Sequence, residues 1–174
     1  DIGLFASGGL FEIEKNVCED NLELGLFVQV PTAIADSSPP VPKTTISKNT
    51  VRNNLVIGLL VQQGLAQQPG VLVDKNTVES NGTGCRFEGS FIDASSNTVQ
   101  DNVGDGIGVV ASSCTLRKNK VKGNARVGII VSAAPVVDGT PAPPGENALD
   151  QNTVQDNGGD AIQITSSSNS VTAS

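Results

Sequence analysis

The chain has 174 residues, with 11 Lys+Arg against 18 Asp+Glu and a formal net charge of −7, the opposite of the balance found in proteins that neutralise phosphates. Nucleic acid and anionic membrane are therefore not expected partners, and no apolar run approaches the ~20 residues of a membrane span. His, Trp, Tyr and Met are missing and Phe occurs five times, which removes imidazole acid–base chemistry, His-ligated metals, Ser-His-Asp triads and the aromatic platforms on which sugars or bases stack.

The chain opens at Asp1-Ile2-Gly3-Leu4-Phe5, and the same pattern returns as Glu23-Leu24-Gly25-Leu26-Phe27. Between them lies Asn16-Val17-Cys18-Glu19-Asp20-Asn21. Its pattern, N-x-[VC]-x-x-N, recurs as NTVRNN from Asn49 to Asn54, NTVESN from Asn76 to Asn81 and NTVQDN from Asn97 to Asn102. NKVKGN from Asn119 to Asn124 and a second NTVQDN from Asn152 to Asn157 complete six copies. Successive leading Asn residues are 33, 27, 21, 22 and 33 residues apart. Most copies are followed four residues later by Gly and an apolar-x-apolar triplet, as in Gly25-Leu26-Phe27-Val28, Gly58-Leu59-Leu60-Val61, Gly106-Ile107-Gly108-Val109 and Gly128-Ile129-Ile130-Val131. The third copy shortens this spacer (Gly84-Cys85-Arg86-Phe87), and the sixth has Ala161 for Gly. Apolar residues also stand five and three positions before each leading Asn: Phe11/Ile13, Val71/Val73, Ile92/Ala94 and Cys114/Leu116, with Thr44/Ile46 and Asn147/Leu149 fitting by half.

Each unit reads as three very short strands of period-2 alternation, and helical spacing never persists. The basic unit is 21–22 residues, and all nine prolines fall in the longer units, at 31–43, 64–70 and 133–145. Proline cannot donate to a sheet ladder, so these insertions are predicted loops leaving one corner. A coil of three strands that closes and stacks on the next is a parallel β-helix. The expectation is one all-β domain over 1–174, a right-handed solenoid of about seven coils. One inward column is Cys18, Val51, Val78, Val99, Val121 and Val154; another is Leu4, Leu26, Leu59, Cys85, Ile107, Ile129 and Ile162. Cys18, Cys85 and Cys114 show no C-x-x-C spacing and are expected to be reduced, buried and unbridged.

The two Asn columns (Asn16, Asn49, Asn76, Asn97, Asn119, Asn152 and Asn21, Asn54, Asn81, Asn102, Asn124, Asn157) are expected to turn the same corner in every coil. Asn tolerates the left-handed backbone, and at ~4.8 Å per coil its amide can donate to the next Asn as a ladder. The pattern N-x-V-x-x-N-x-x-x-G-I-x-V resembles the right-handed parallel β-helix repeats of the pectin-lyase-like superfamily, over nearly the whole chain outside the loops. That resemblance implies the fold. It leaves activity open, since the superfamily holds lyases, hydrolases, epimerases, phage spikes and adhesins.

A polygalacturonase-like hydrolase would carry N-T-D, D-D, G-H and R-I-K elements; this chain has NTV in place of N-T-D and no His. The nearest acid–base constellation is Asp101 and Asp105, Lys122 and Arg126, Asp156 and Asp160, which could hold an acidic sugar through a bridging cation. The simpler reading is that charges of alternating sign on stacked coils avoid like-charge columns. No cofactor and no resident metal site are expected. An outward Thr column (Thr50, Thr77, Thr98, Thr153) resembles one rank of an ice-binding β-helix, but the next outward positions are Arg52, Glu79, Gln100 and Gln155. "VGDGIG" and "GGDAI" are turns, and Lys15, Lys48, Lys75 and Lys118 form a solvated stripe.

The chain begins at Asp1 without Met, so the expectation is that a leader was removed or that it is a piece of something longer; no capping element is evident at either end. The tail Asn169-Ser170-Val171-Thr172-Ala173-Ser174 has two registers: a seventh N-x-V unit, or Val171 in the Leu116 column. Open ends bearing Asp1, Ile2, Leu4 and Phe5 against Asn169 and Val171 lead to the expectation of an extracellular or cell-surface structural protein whose copies stack head-to-tail. A carbohydrate-binding or adhesive module and a polysaccharide-active enzyme are the alternatives.

Overall fold

The computed structural model describes residues 1–30, 44–64, 70–132, 147–165 and 169–172. Its elements are twenty strands, with no helix among the described residues. The first coil is β1 (Ile2–Ser7), β2 (Glu12–Glu14) and β3 (Val17–Glu19); the second is β4 (Leu24–Val30), β5 (Thr44–Ser47) and β6 (Thr50–Arg52). The third and fourth are β7 (Ile57–Gln63), β8 (Val71–Asp74), β9 (Thr77–Glu79) and β10 (Thr83–Ser90), β11 (Ile92–Ser95), β12 (Thr98–Gln100). Then follow β13 (Ile107–Ser112), β14 (Thr115–Arg117), β15 (Lys120–Lys122), β16 (Ile129–Ser132), β17 (Asn147–Asp150) and β18 (Thr153–Gln155). Finally β19 (Ile162–Ile164) and β20 (Asn169–Thr172) begin a further coil.

Every third strand pairs in parallel, giving two seven-stranded sheets that start at β1 and β2 and a six-stranded sheet that starts at β3. We call them the first, second and third sheets. The pairings reproduce the two inward columns read from the sequence: Leu4, Leu26, Leu59, Cys85, Ile107, Ile129 and Ile162 align, as do Cys18, Val51, Val78, Val99, Val121 and Val154. Their interior members are buried. Apolar area removed from water contributes roughly 25 cal/mol per Å², and here it is distributed evenly along the axis. The two polar residues that stand five positions before a leading Asn, on the second sheet, are satisfied: Thr44 Oγ1 accepts the Phe11 N–H (3.4 Å) and Asn147 Oδ1 the Cys114 N–H (3.0 Å).

Both Asn ladders form. From Asn16 through Asn152, each Nδ2 donates to the Oδ1 of the next Asn at 2.9–3.0 Å; from Asn21 through Asn157 the distances are 2.7–3.1 Å. Each interior Oδ1 also takes a backbone N–H, and each Nδ2 also donates to a carbonyl, as Asn97 does to Val73 O. All rungs point the same way, donor from the earlier coil and acceptor on the later one.

The left-handed residue, however, is not the ladder Asn. It is the residue before it: Lys15, Lys48, Lys75, Ser96, Lys118 and Gln151 on one corner, and Asp20, Asn53, Ser80, Asp101, Gly123 and Asp156 on the other, all at φ 53–65°. The Asn must aim inward to reach its neighbours, so the preceding residue makes the bend and sends its own side chain to solvent. A non-glycine there costs roughly 1–2 kcal/mol, which the Asn hydrogen bonds offset.

The tail takes the second of its two registers, Leu149 opposite Val171; it does not begin a seventh N-x-V unit. The connections that carry the prolines all run from the first sheet to the second, as a single decorated corner requires. Apart from Gly64 and Gly70, the predicted loops and every proline lie outside the described residues. The three cysteines are free and buried. Burial pushes the Cys85 thiol far up and the Cys114 thiol up to about 12, the latter helped by nearby Asp93.

Candidate binding face

The middle residue of each apolar-x-apolar triplet points outward from the first sheet. Register places Phe5, Phe27, Leu60, Arg86, Gly108, Ile130 and Gln163 in one line along the axis. The Phe5 and Phe27 rings stack at 4.9 Å with 29° between planes, and Phe5 is 54% exposed. The expectation that the composition leaves no aromatic platform is thereby corrected for this face. Beside them Ile2, Leu24 and Ile57 form a parallel apolar rank, continued by Thr83.

Toward the later coils the apolar rank gives way to a groove. Gly108 leaves its floor bare, and Thr83, Arg86, Asp105, Ile130 and Ser132 are among its walls. A Cβ on Gly108 would meet nothing closer than 3.7 Å, so glycine is not required there for backbone reasons; its effect is space. Arg86 is held in place by its neighbours: its Nε donates to Glu88 Oε1 (2.5 Å), and Glu88 Oε2 accepts from Gln62 Nε2 (2.7 Å). Asp105 accepts the Val127 N–H at 3.1 Å. The groove thus carries a guanidinium on one coil and a carboxylate on the next.

The predicted acid–base set does not converge. Asp101 and Asp156 occupy left-handed positions on the corner before the second Asn ladder, with Gly123 between them in that column; the Asp101 carboxylate fills the space above Gly123. Lys122 faces outward from the third sheet beside Gln100 and Gln155. Of the six residues, Asp105 and Arg126 alone form an ion pair among the described residues, at 3.9 Å between Asp105 Oδ1 and Arg126 Nε. No group of acids or thiols among the described residues has metal-binding geometry. Asp105 is the one member that reaches the groove.

Elsewhere the charges behave as stacked pairs. Arg52 bonds Glu19 (2.6 Å) on the third sheet, and Lys48 bonds Glu14 (2.6 Å) across one coil step. The Lys48 ammonium holds the Glu14 carboxyl below its ordinary range and is itself raised in return. These side chains are partly or largely exposed, so solvent screening keeps each pair's contribution small. The Lys stripe is exposed, but three of its members are ion-paired: Lys15 and Lys48 with Glu14, and Lys75 with Asp74. The Thr column is broken by Val17 and Lys120.

The outward line of the first sheet has a signal in the sequence that the repeat pattern hides. The residue between the two inward members of each triplet is by alternation an outward one, and reading those residues from the opening Leu4-Phe5-Ala6 down through the six copies yields the aromatic pair, Arg86 and the Gly108 gap.

This architecture defines a right-handed parallel β-helix with one differentiated outer face. The chain belongs to the right handed beta helix region family, whose model matches residues 11–140. No curated protein matches it in sequence. In structure it is similar to a crystallised double mutant of the periplasmic alginate epimerase AlgG, with a TM-score of 0.64 and 17% identity, covering 95% of this chain and 36% of that one. The chain therefore spans about a third of that protein's length, and the likeness is one of fold.

Proposed function

We propose that this chain is a carbohydrate-binding β-helix module that holds a polysaccharide along the outer face of its first sheet, outside the cytoplasm. The observation that carries the reading is the outward line from Phe5 and Phe27 to the Gly108 groove. Apolar ring faces of sugars stack on phenylalanine, and Arg86 and Asp105 supply directional partners for carboxylate and hydroxyl groups. The line from Phe5 to Ile130 covers five coil steps, ~24 Å at about 4.8 Å each, room for several consecutive sugars. The periplasmic, alginate-modifying relative in fold supports both the ligand class and the compartment. No reaction is assigned, because the candidate acids and bases are dispersed.

Affinity electrophoresis through gels containing alginate, polygalacturonate or an uncharged β-glucan tests this. Retardation is expected in at least one gel. Phe27→Ala should weaken it roughly two- to tenfold, the size of one lost aromatic contact, and Gly108→Leu should abolish it by filling the groove. Unretarded migration in all three gels ends the proposal.

Head-to-tail stacking is a second reading, favoured by the one-way ladders. Among the described residues, Asn16 and Asn21 present Oδ1 without a donor, while Asn152 and Asn157 present backbone N–H and amide groups without an Asn acceptor. The observed register adds a condition. A copy set on β19 and β20 would continue the first and second sheets and leave the third one strand short, since that sheet ends at β18. Stacking would require a strand of N-x-V-x-x-N pattern to fill that layer. Light scattering across a concentration series decides it: growth of unbranched assemblies supports stacking, and constant monomer mass rejects it.

A further inference from the structure

Asn81-Gly82-Thr83 is the chain's one Asn-x-Ser/Thr tripeptide, the acceptor pattern for N-linked glycosylation and ordinarily the mark of a surface loop. Here it lies inside the second ladder, and Asn81 is 0% exposed. Its Oδ1 accepts the backbone N–H (3.0 Å) and Nδ2 (2.8 Å) of Asn54. Its Nδ2, the atom that would carry the sugar, reaches Val51 O (3.1 Å), Glu79 O (3.0 Å) and Asn102 Oδ1 (3.1 Å). Two hydrogens thus serve three acceptors, and none faces solvent. The same nitrogen stands 2.6 Å from where a Cβ on Gly58 would lie, against the backbone at the start of its own coil.

We propose that an N-glycan on Asn81 and this fold are mutually exclusive, so that Asn81 is an acceptor only while the chain is unfolded. Transfer from a lipid-linked diphosphate oligosaccharide would form a bond from the anomeric carbon to Nδ2. It would break the anomeric C–O bond, release the lipid diphosphate and send one Nδ2 proton to a base on the transferase. The product has lost a ladder hydrogen and carries a bulky polar group at a point with no space. Buried donors and acceptors left without partners cost about 1–3 kcal/mol each, and the steric conflict adds to that. Asn54, Asn81 and Asn102 then no longer form a continuous rung set, and the third and fourth coils cannot close. The consequence is a constraint on biogenesis: the protein reaches its destination by a route that lacks N-glycan transfer, or completes these coils before transfer occurs.

The test is secretory expression of the full chain in a host that carries N-oligosaccharyltransferase. It runs beside Thr83→Val, which removes the acceptor pattern and keeps a strand-forming residue, and Leu59→Asp, which places an unpaired charge in the core. Mass spectrometry of the folded, protease-resistant fraction and of the misfolded fraction reads occupancy at Asn81. The expected result is glycan on Leu59→Asp and on misfolded wild-type chain only, with a higher folded yield for Thr83→Val wherever wild type is modified. A folded, protease-resistant wild-type protein bearing glycan at Asn81 overturns the proposal. So does a Leu59→Asp chain that stays unmodified, because the unfolded chain would then not be an acceptor.

Discussion

Asn97→Ala is expected to lower stability by about 4–6 kcal/mol, among the largest effects of any single substitution in this molecule. Asn97 Oδ1 is the acceptor for both the backbone N–H and the Nδ2 of Asn76. Its own Nδ2 serves Val73 O and Asn119 Oδ1. Alanine leaves the buried Asn76 N–H without an acceptor, takes one of three acceptors from Asn76 Nδ2, which keeps Ile46 O and Asp74 O, and withdraws a donor from two buried oxygens. At about 1–3 kcal/mol for the orphaned N–H and about 0.5–1.5 kcal/mol for each further bond lost, the sum exceeds the ordinary range of point mutations. Lys118→Ala, one residue before the next rung, is the control. Its side chain is exposed and its backbone angle suits alanine no worse than lysine, so the change should stay within about 0.5 kcal/mol. Urea midpoints of the two variants make the comparison. Because each coil touches only its neighbours, hydrogen exchange in Asn97→Ala should show opening centred on the third to fifth coils. A midpoint indistinguishable from wild type would mean that the ladder is decoration.

Gly106→Ala should cost about 3 kcal/mol or more, the upper part of the range for overpacked cores. A Cβ there would lie 2.6 Å from Gly128 O, 2.6 Å from Val121 Cγ1 and 2.8 Å from Asn124 Nδ2. One of these atoms is backbone and another belongs to a rung, so neither can retreat without breaking the stack. Gly25, Gly58, Gly84 and Gly128 are crowded in the same way, each by the valine and Asn of its next third-sheet segment, and Gly25, Gly84 and Gly128 also by a carbonyl of the following coil. Ala161 occupies the equivalent place in the last coil, where it is exposed. Among the described residues no third-sheet strand beyond β18 presses on it. Ala161→Gly should therefore change stability by no more than about 1 kcal/mol, the ordinary backbone difference between the two residues. Thermal melts of both variants test the pair, and equal losses would refute the steric account.

The inward half of this molecule was legible because burial imposes one demand at every coil. Cys18, Val51 and their successors had to be small or medium apolar groups at equal spacing, so their columns could be written down with the register correct. The Asn ladders were readable for the same reason, since a buried amide needs an identical partner one step away. The bend itself was misassigned. An Asn at a corner suggests the left-handed conformation, and only the requirement that its amide point inward moves that conformation back onto Lys48 or Asp101. The outer faces follow no such rule. Nothing obliges Phe27, Leu60, Arg86 and Gly108 to resemble one another, so the line they form left no repeat to notice. Charged residues close in sequence, such as Asp101 and Asp105, invited grouping, yet four residues around a corner carry them to different sides of the coil.

Consecutive rungs of the first ladder are bridged by 33, 27, 21, 22 and 33 residues, yet each bridge advances the axis by the same single step. Distance along the chain and distance along the molecule are thus separate rulers. Between the first and second sheets the sequence can lengthen without moving any rung, and each doubling of such a connection costs only ≈ 0.6 kcal/mol in closure entropy. The corner after Gln63 is therefore a natural splice point. A foreign segment placed there would ride on the rod at a fixed height, and several such segments would be displayed in a row at multiples of one coil spacing.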